Sequence, residues 1–196
     1  MKKLSTVLMM AIAALAFQSC GGNASNDSKE VADSANHTKD TSTMAAETGG
    51  IAVETDDAKF ATEAANGGMA EVELAKLAQT KATNPKVKEF AAMMVKDHSA
   101  ANEELMALAK AKNITLPTTV DSDQQEVMAD LQKKSGTDFD KAYVDAMVKD
   151  HNKDVDMFEK ASNDLKDTEL KSFAVKTLPT LKMHQSAIKA IQDGMK

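Results

Sequence analysis

Arginine is absent from this sequence: all 24 basic residues are lysine. The planar guanidinium fork that reads guanine or clamps phosphate and carboxylate is therefore unavailable. Tryptophan is also absent, with one Tyr, six Phe and three Pro in 196 residues. An all-β sandwich, which draws on aromatic and β-branched residues and frequent turns, is disfavoured. The single cysteine excludes an intrachain disulfide and any cysteine-based zinc or iron–sulfur site. Positive charge is in deficit, 24 basic against 30 acidic residues for a net charge of −6. That balance argues against nucleic acid as a partner and against attraction to anionic lipid by charge alone. No phosphate-binding loop, nucleophile–base motif or zinc-protease signature occurs.

What is present is 42% hydrophobic and 28% charged, enough for one packed domain with a tail. Residues 1–20 read as a targeting segment. Lys2 and Lys3 form a positive start, Leu4 to Phe17 a mostly apolar run too short to span a bilayer, and Ser19 precedes the only cysteine, Cys20. The pattern is similar to a bacterial lipoprotein signal peptide, 1–19, which places a lipid on Cys20 and the protein in the cell envelope, anchored to a membrane. Ordinary secretion with an incidental cysteine is the alternative. Residues 20–57 are rich in Gly, Ser, Asn, Thr, Ala and Asp without apolar periodicity. Such a stretch buries too little to offset its conformational entropy and reads as a disordered tether, His37 within it having no assigned role.

From residue 58 onward the apolar residues recur every three or four positions, the helical period. The spacing predicts an all-α domain over 58–196. Its first long helix covers 58–81, with Phe60, Ala64, Gly68, Glu71, Ala75 and Ala78 on one face. Asn84-Pro85 breaks it and starts a second helix that ends near Lys112, before Asn113 and Pro117. A long connection follows, with a short helix near 124–133, then a third helix from about Asp138 to Leu165 and a fourth from about Leu170 to Ile191. Pro179 lies inside the fourth helix and is expected to kink or split it. Four such helices with short, long and short connections form a four-helix bundle. The long connection fits the up-down-down-up order of ferritin-like folds; a plain up-down-up-down bundle is the other possibility.

Residues 94–98 and 147–151 are both MVKDH, so two helices present the same face. Stepping 100° per residue places Glu71, His98, His151 and His184 on the inward faces of four different helices. At ~1.5 Å per residue, Glu71 and His98 stand about 20 Å from one end of the bundle, His151 and His184 about 25 Å from the other. In a bundle about 40 Å long the four meet near the middle. Buried polar groups need partners, and two arrangements supply them. One is a metal ion, because neutral imidazole and carboxylate suit Zn, Cu, Mn or Fe, with Met94, Met147, Met183 and Asp154 as peripheral candidates. The other is a hydrogen-bond network in which Glu71 or Asp154 accepts from imidazole N–H groups. Asp97 and Asp150 turn about 100° away from their neighbouring histidines and are expected to be solvated.

Phe60 with Gly67-Gly68 and Glu71, the two MVKDH segments, Leu116-Pro117, Phe139-Asp140 before Tyr143, and Leu178-Pro179 with His184 together resemble the bacterial family catalogued as domain of unknown function 4142. The resemblance covers nearly all of the expected folded part. It implies a ferritin-like helical bundle in the cell envelope and no established activity. The Glu-x-x-His pairs of ferritin-type di-iron sites are missing, since Val95, Val148 and Leu181 precede the three histidines by three. Three functions remain open: a lipid-anchored metal-binding bundle, a structural or partner-binding bundle with a polar core, and a mononuclear metalloenzyme.

Overall fold

The structure, a computed structural model, describes residues 27–40 and 53–195. Every regular element among them is a helix: α1 (Ser28–Asp40), α2 (Thr55–Lys81), α3 (Pro85–Ala111), α4 (Ser122–Gln132), α5 (Gly136–Asp164) and α6 (Thr168–Asp193). The helix starts follow from capping. Asn84 accepts from the Lys86 amide with Pro85 at the first turn of α3, Asp121 accepts from the Gln124 amide at α4, and Asp167 accepts from the Glu169 and Leu170 amides at α6. Asn113, at φ 56°, ends α3 in the left-handed region, and the Ile114 amide turns back to the Ala109 carbonyl at 2.8 Å.

Polar side chains at the helix ends fix the directions of the four long helices. Asp140, near the start of α5, accepts from the Thr83 and Asn84 amides in the α2–α3 turn at 3.0 and 2.9 Å. At the opposite end, Asp57 near the start of α2 is only 1% exposed and accepts from the Lys166 and Asp167 amides between α5 and α6. The Lys112 ammonium after α3 donates to Asp167 at 2.6 Å and Glu169 at 2.8 Å. Thus α2 runs antiparallel to α3 and α5, α3 runs parallel to α5, and the connection carrying α4 travels the length of the bundle.

The apolar interior has two lobes. Phe60, Leu105, Phe158, Phe173 and Leu181 anchor one, with the Phe60 and Phe158 rings edge-to-face at 5.1 Å. Leu74, Phe90, Met94, Phe139, Tyr143, Met147 and Ile188 anchor the other. No helix among the described residues is long and apolar enough to cross a membrane.

Two expectations are corrected. The stretch read as a disordered tether, 20–57, contains α1, and α2 already begins at Thr55. The cause is polar docking. The Asn36 side-chain amide donates to the Thr115 carbonyl at 2.9 Å while its oxygen accepts from the Thr115 amide at 2.7 Å. Thr62 donates to Asp33, Ser28 caps the Thr118 and Thr119 amides, and Ala32 is buried beneath the helix. Hydrophobic periodicity does not register such a helix. Secondly, of the two outcomes expected at Pro179 the split does not occur: α6 is one helix from Thr168 to Asp193. Pro179 and Val175 are both exposed, so water can reach the carbonyl whose amide partner the proline removes. The expected signal peptide and Cys20 lie outside the described residues.

Candidate metal centre

A polar layer separates the two apolar lobes. Glu71 of α2, His98 of α3, His151 of α5 and His184 of α6 are each at most 6% exposed. The imidazole centroids of His98 and His151 are 5.8 Å apart, of His98 and His184 5.2 Å, and of His151 and His184 5.5 Å. Each imidazole can offer one nitrogen to a set whose members all lie within 4.8 Å of one another. Phe90 packs edge-on against His151 and His184 and closes the layer on the second lobe's side.

The hydrogen bonds dictate which nitrogen each ring has to offer. His151 Nδ1 lies 2.9 Å from the Met147 carbonyl, which can only accept, so Nδ1 carries the proton and Nε2 the lone pair. His98 Nδ1 donates to Glu71 Oε2 at 2.8 Å, leaving the lone pair on Nε2. His184 Nε2 donates to Asp97 Oδ2 at 3.0 Å, leaving the lone pair on Nδ1. His98 Nε2 and His184 Nδ1 face each other at 3.3 Å, and with Glu71 ionised both present lone pairs. The remaining atom, His151 Nε2, is buried without a hydrogen-bond partner. Two donors on one metal with bonds of about 2.0–2.1 Å stand about 3.3–3.5 Å apart, the spacing found here. Acceptors behind the ring N–H groups that fix tautomer and orientation are the usual second layer of a histidine metal site.

Residues 40–191 match the family model described as a domain of unknown function, DUF4142. The chain belongs to the DUF4142 family. Among solved structures, this DUF4142 chain is similar in fold to "CopM in the Cu(II)-bound form", with a TM-score of 0.62 at 14% identity. The match covers 71% of this chain and 97% of that one. No curated protein matches the sequence.

Burial sets the electrostatics of the DUF4142 site. It holds the His98 imidazole down at about 4 and His151 at about 3, and lowers His184 against the opposing pull of Asp97. All three rings are thus neutral at physiological pH, the form that ligates metal. Burial pushes Glu71 up to about 8 and Asp154 well above its ordinary value, and the two carboxyl groups hydrogen-bond each other.

Of the peripheral candidates, Asp154 reaches the layer through Glu71. Met94 and Met147 are wholly buried in the second lobe. Met183 is 49% exposed and points away from the site, because its neighbour His184 occupies the inward position on α6. His37 is exposed on α1. The expectation that Asp97 and Asp150 are solvated is corrected. Asp97 bonds His184, and Asp150 is half-buried against the Gln124 side chain. In a bundle, a residue 100° from the core direction lies on the flank facing the neighbouring helix. That geometry was the available signal for Asp97. None existed for the Met147 carbonyl, a backbone group.

Proposed function

We propose that this DUF4142 protein binds a single transition-metal ion, copper in particular, through His98, His151 and His184, and holds it within a ferritin-like bundle at the cell envelope. The observation that carries the reading is the convergence of three buried imidazoles, each offering one nitrogen to a set within 4.8 Å and each with an acceptor behind its ring. A pure hydrogen-bond network is disfavoured because it leaves the buried His151 Nε2 without a partner. Three neutral nitrogens suit copper and zinc best, and the likeness to CopM, a fold-mate described in a Cu(II)-bound form, favours copper. The helix directions and the long α3–α5 connection support the ferritin-like label. The cavity touching His98 and Glu71 has about 20 Å³, room for little more than a water molecule, which supports holding a metal over transforming a substrate.

Titration calorimetry with Cu(II), and with Cu(I) against a competing chelator, tests the reading. One ion per chain is expected, with affinity reduced at least a hundredfold in His151→Ala and unchanged in His37→Ala. No uptake of copper or zinc by the wild type sinks it. The lipid anchor on Cys20 is part of the proposal, supported by the signal-like residues 1–19. Intact mass of the membrane fraction should show an acylated chain beginning at Cys20; a soluble, unmodified chain refutes the anchor alone.

A further inference from the structure

The three imidazoles are sealed from solvent, His98 at 6% exposure and His151 and His184 at 0%. An ion that they bind has to pass between helices, and three of the four seams around the layer are closed. At α2–α3, the Asn102 side chain fills the notch left by Gly68 so closely that a Cβ there would collide with its amide. At α3–α6, Asp97 holds the His184 ring with its Nε2 proton turned outward, so an approaching cation meets an N–H and not a lone pair. At α5–α6, the Gln185 side-chain amide donates to the Asn152 oxygen at 2.9 Å, one residue beyond His184 and one beyond His151. The fourth seam, α2–α5, leads to a cleft of about 430 Å³ between the start of α2 and the end of α5, with Phe60, Ala161 and Leu165 in its apolar wall. Five carboxyl side chains line this cleft against three lysines. That balance raises the local concentration of cations. On the inner side lies the cavity of about 20 Å³ that touches His98 and Glu71. Among the described residues, Met157 alone lines both spaces. It is half-buried and packed against the first apolar lobe. It stands six residues after His151 on α5, about 9 Å along the axis. Side chains on a helix lean toward its N-terminus, which carries the Met157 thioether toward the histidine layer.

The two spaces differ in what they admit. The cleft has room for a hydrated ion, whereas the inner cavity holds about one water molecule, so an ion crossing between them sheds most of its water shell. A charge stripped of water beside apolar walls is costly unless a ligand replaces that water. The thioether at the partition is such a ligand, and as a soft donor it suits Cu(I) over Cu(II) or Zn²⁺. We propose that Met157 is a transit ligand through which Cu(I) passes from the α2–α5 cleft to the histidine cluster. The proposal rests on the copper reading above and adds to it the oxidation state that is loaded and the path that it takes. Met157 binds in passage only, so it sets the rates of loading and release together and leaves the equilibrium between them unchanged.

Stopped-flow transfer of Cu(I) from a colorimetric chelator to the full chain, without oxygen, tests the route. Met157→Leu removes the sulfur and keeps the apolar volume, a swap that cores tolerate well. Uptake and release of Cu(I) are both expected to slow at least tenfold in this variant, with affinity and stoichiometry unchanged. Zn²⁺ uptake should keep its wild-type rate, and Met183→Leu, at an exposed methionine, should leave both ions unaffected. Three results overturn the proposal: Cu(I) uptake undiminished in Met157→Leu, Zn²⁺ uptake slowed as much as Cu(I), or a loss of affinity equal to the loss of uptake rate, which would make Met157 a ligand of the bound ion. Copper bound by the wild type at a rate that Met157→Leu does not alter leaves the histidine site standing and removes the route alone. Absence of copper binding to the wild type removes both.

Discussion

Asp97 reaches the metal centre from the flank of α3, at 23% side-chain exposure, and holds the His184 ring by its Nε2 proton. Replacing it with Asn keeps an acceptor there but permits the amide to turn and the ring to lose its tautomer. Asp97→Asn is expected to weaken copper binding about 10–100-fold with stoichiometry unchanged, as outer-layer changes generally do. A Cu(I) competition titration reads both quantities at once. Met183→Leu, by contrast, alters an exposed side chain and should leave affinity untouched.

The buried titrating groups give the metal-free protein a stability optimum in pH. His98 and His151 are held at about 4 and about 3, below their ordinary 6.5, so between those limits the unfolded chain binds protons that the folded one refuses. Stability therefore falls as pH drops below about 6.5. Glu71 is raised from 4.5 to about 8, so across that window the folded state carries a proton the unfolded state has released. Stability therefore also falls as pH rises toward 8. Thermal melts of the apo-protein should peak between about pH 6 and 7, and Glu71→Gln should flatten the alkaline limb and steepen the acid limb, because the Glu71 window overlaps that of the histidines.

Among the elements, α1 separates what patterning conveys from what it does not. The four long helices announce themselves through apolar stripes, and Asn84-Pro85 and Asn113 mark real boundaries. Glu71 and the three histidines fall in their stripes, so rotation and rise alone bring them to one layer. A helix such as α1 buries almost nothing apolar beyond Ala32 and is held by Asn36, Asp33 and Ser28 reaching groups up to 91 residues away in sequence. No local window contains those partners. The family match, which begins at residue 40, also leaves nearly all of α1 outside. Asn36→Ala strips both partners from the Thr115 backbone and is expected to cost about 1–3 kcal/mol. A denaturant melt beside that of Ser34→Ala, an exposed position on the same helix, measures it.

The α5–α6 turn is a second element whose anchoring is polar. The Lys112 side chain is 8% exposed and balanced by Asp167 and Glu169. Removing the more buried partner leaves that ammonium short of compensation, so Asp167→Ala should destabilise by about 3 kcal/mol or more. It also deletes the α6 cap. Lys112→Met should be milder, because it removes the charge along with the need for it. Urea melts of the two variants rank them directly.

For the whole molecule, the docking of α1 changes how far the bundle can stray from an anchor at Cys20. A free segment from Cys20 to residue 57 would have a mean reach of about 33 Å, taking ~5.5 Å times the square root of the residue count. With α1 fastened to α2 and to the head of α4, only seven residues separate Cys20 from the docked Asp27, over which a flexible chain would reach about 15 Å. A lipid on Cys20, as proposed, would therefore keep the start of α1, and the head of α4 bonded to it, the part of the domain nearest the bilayer.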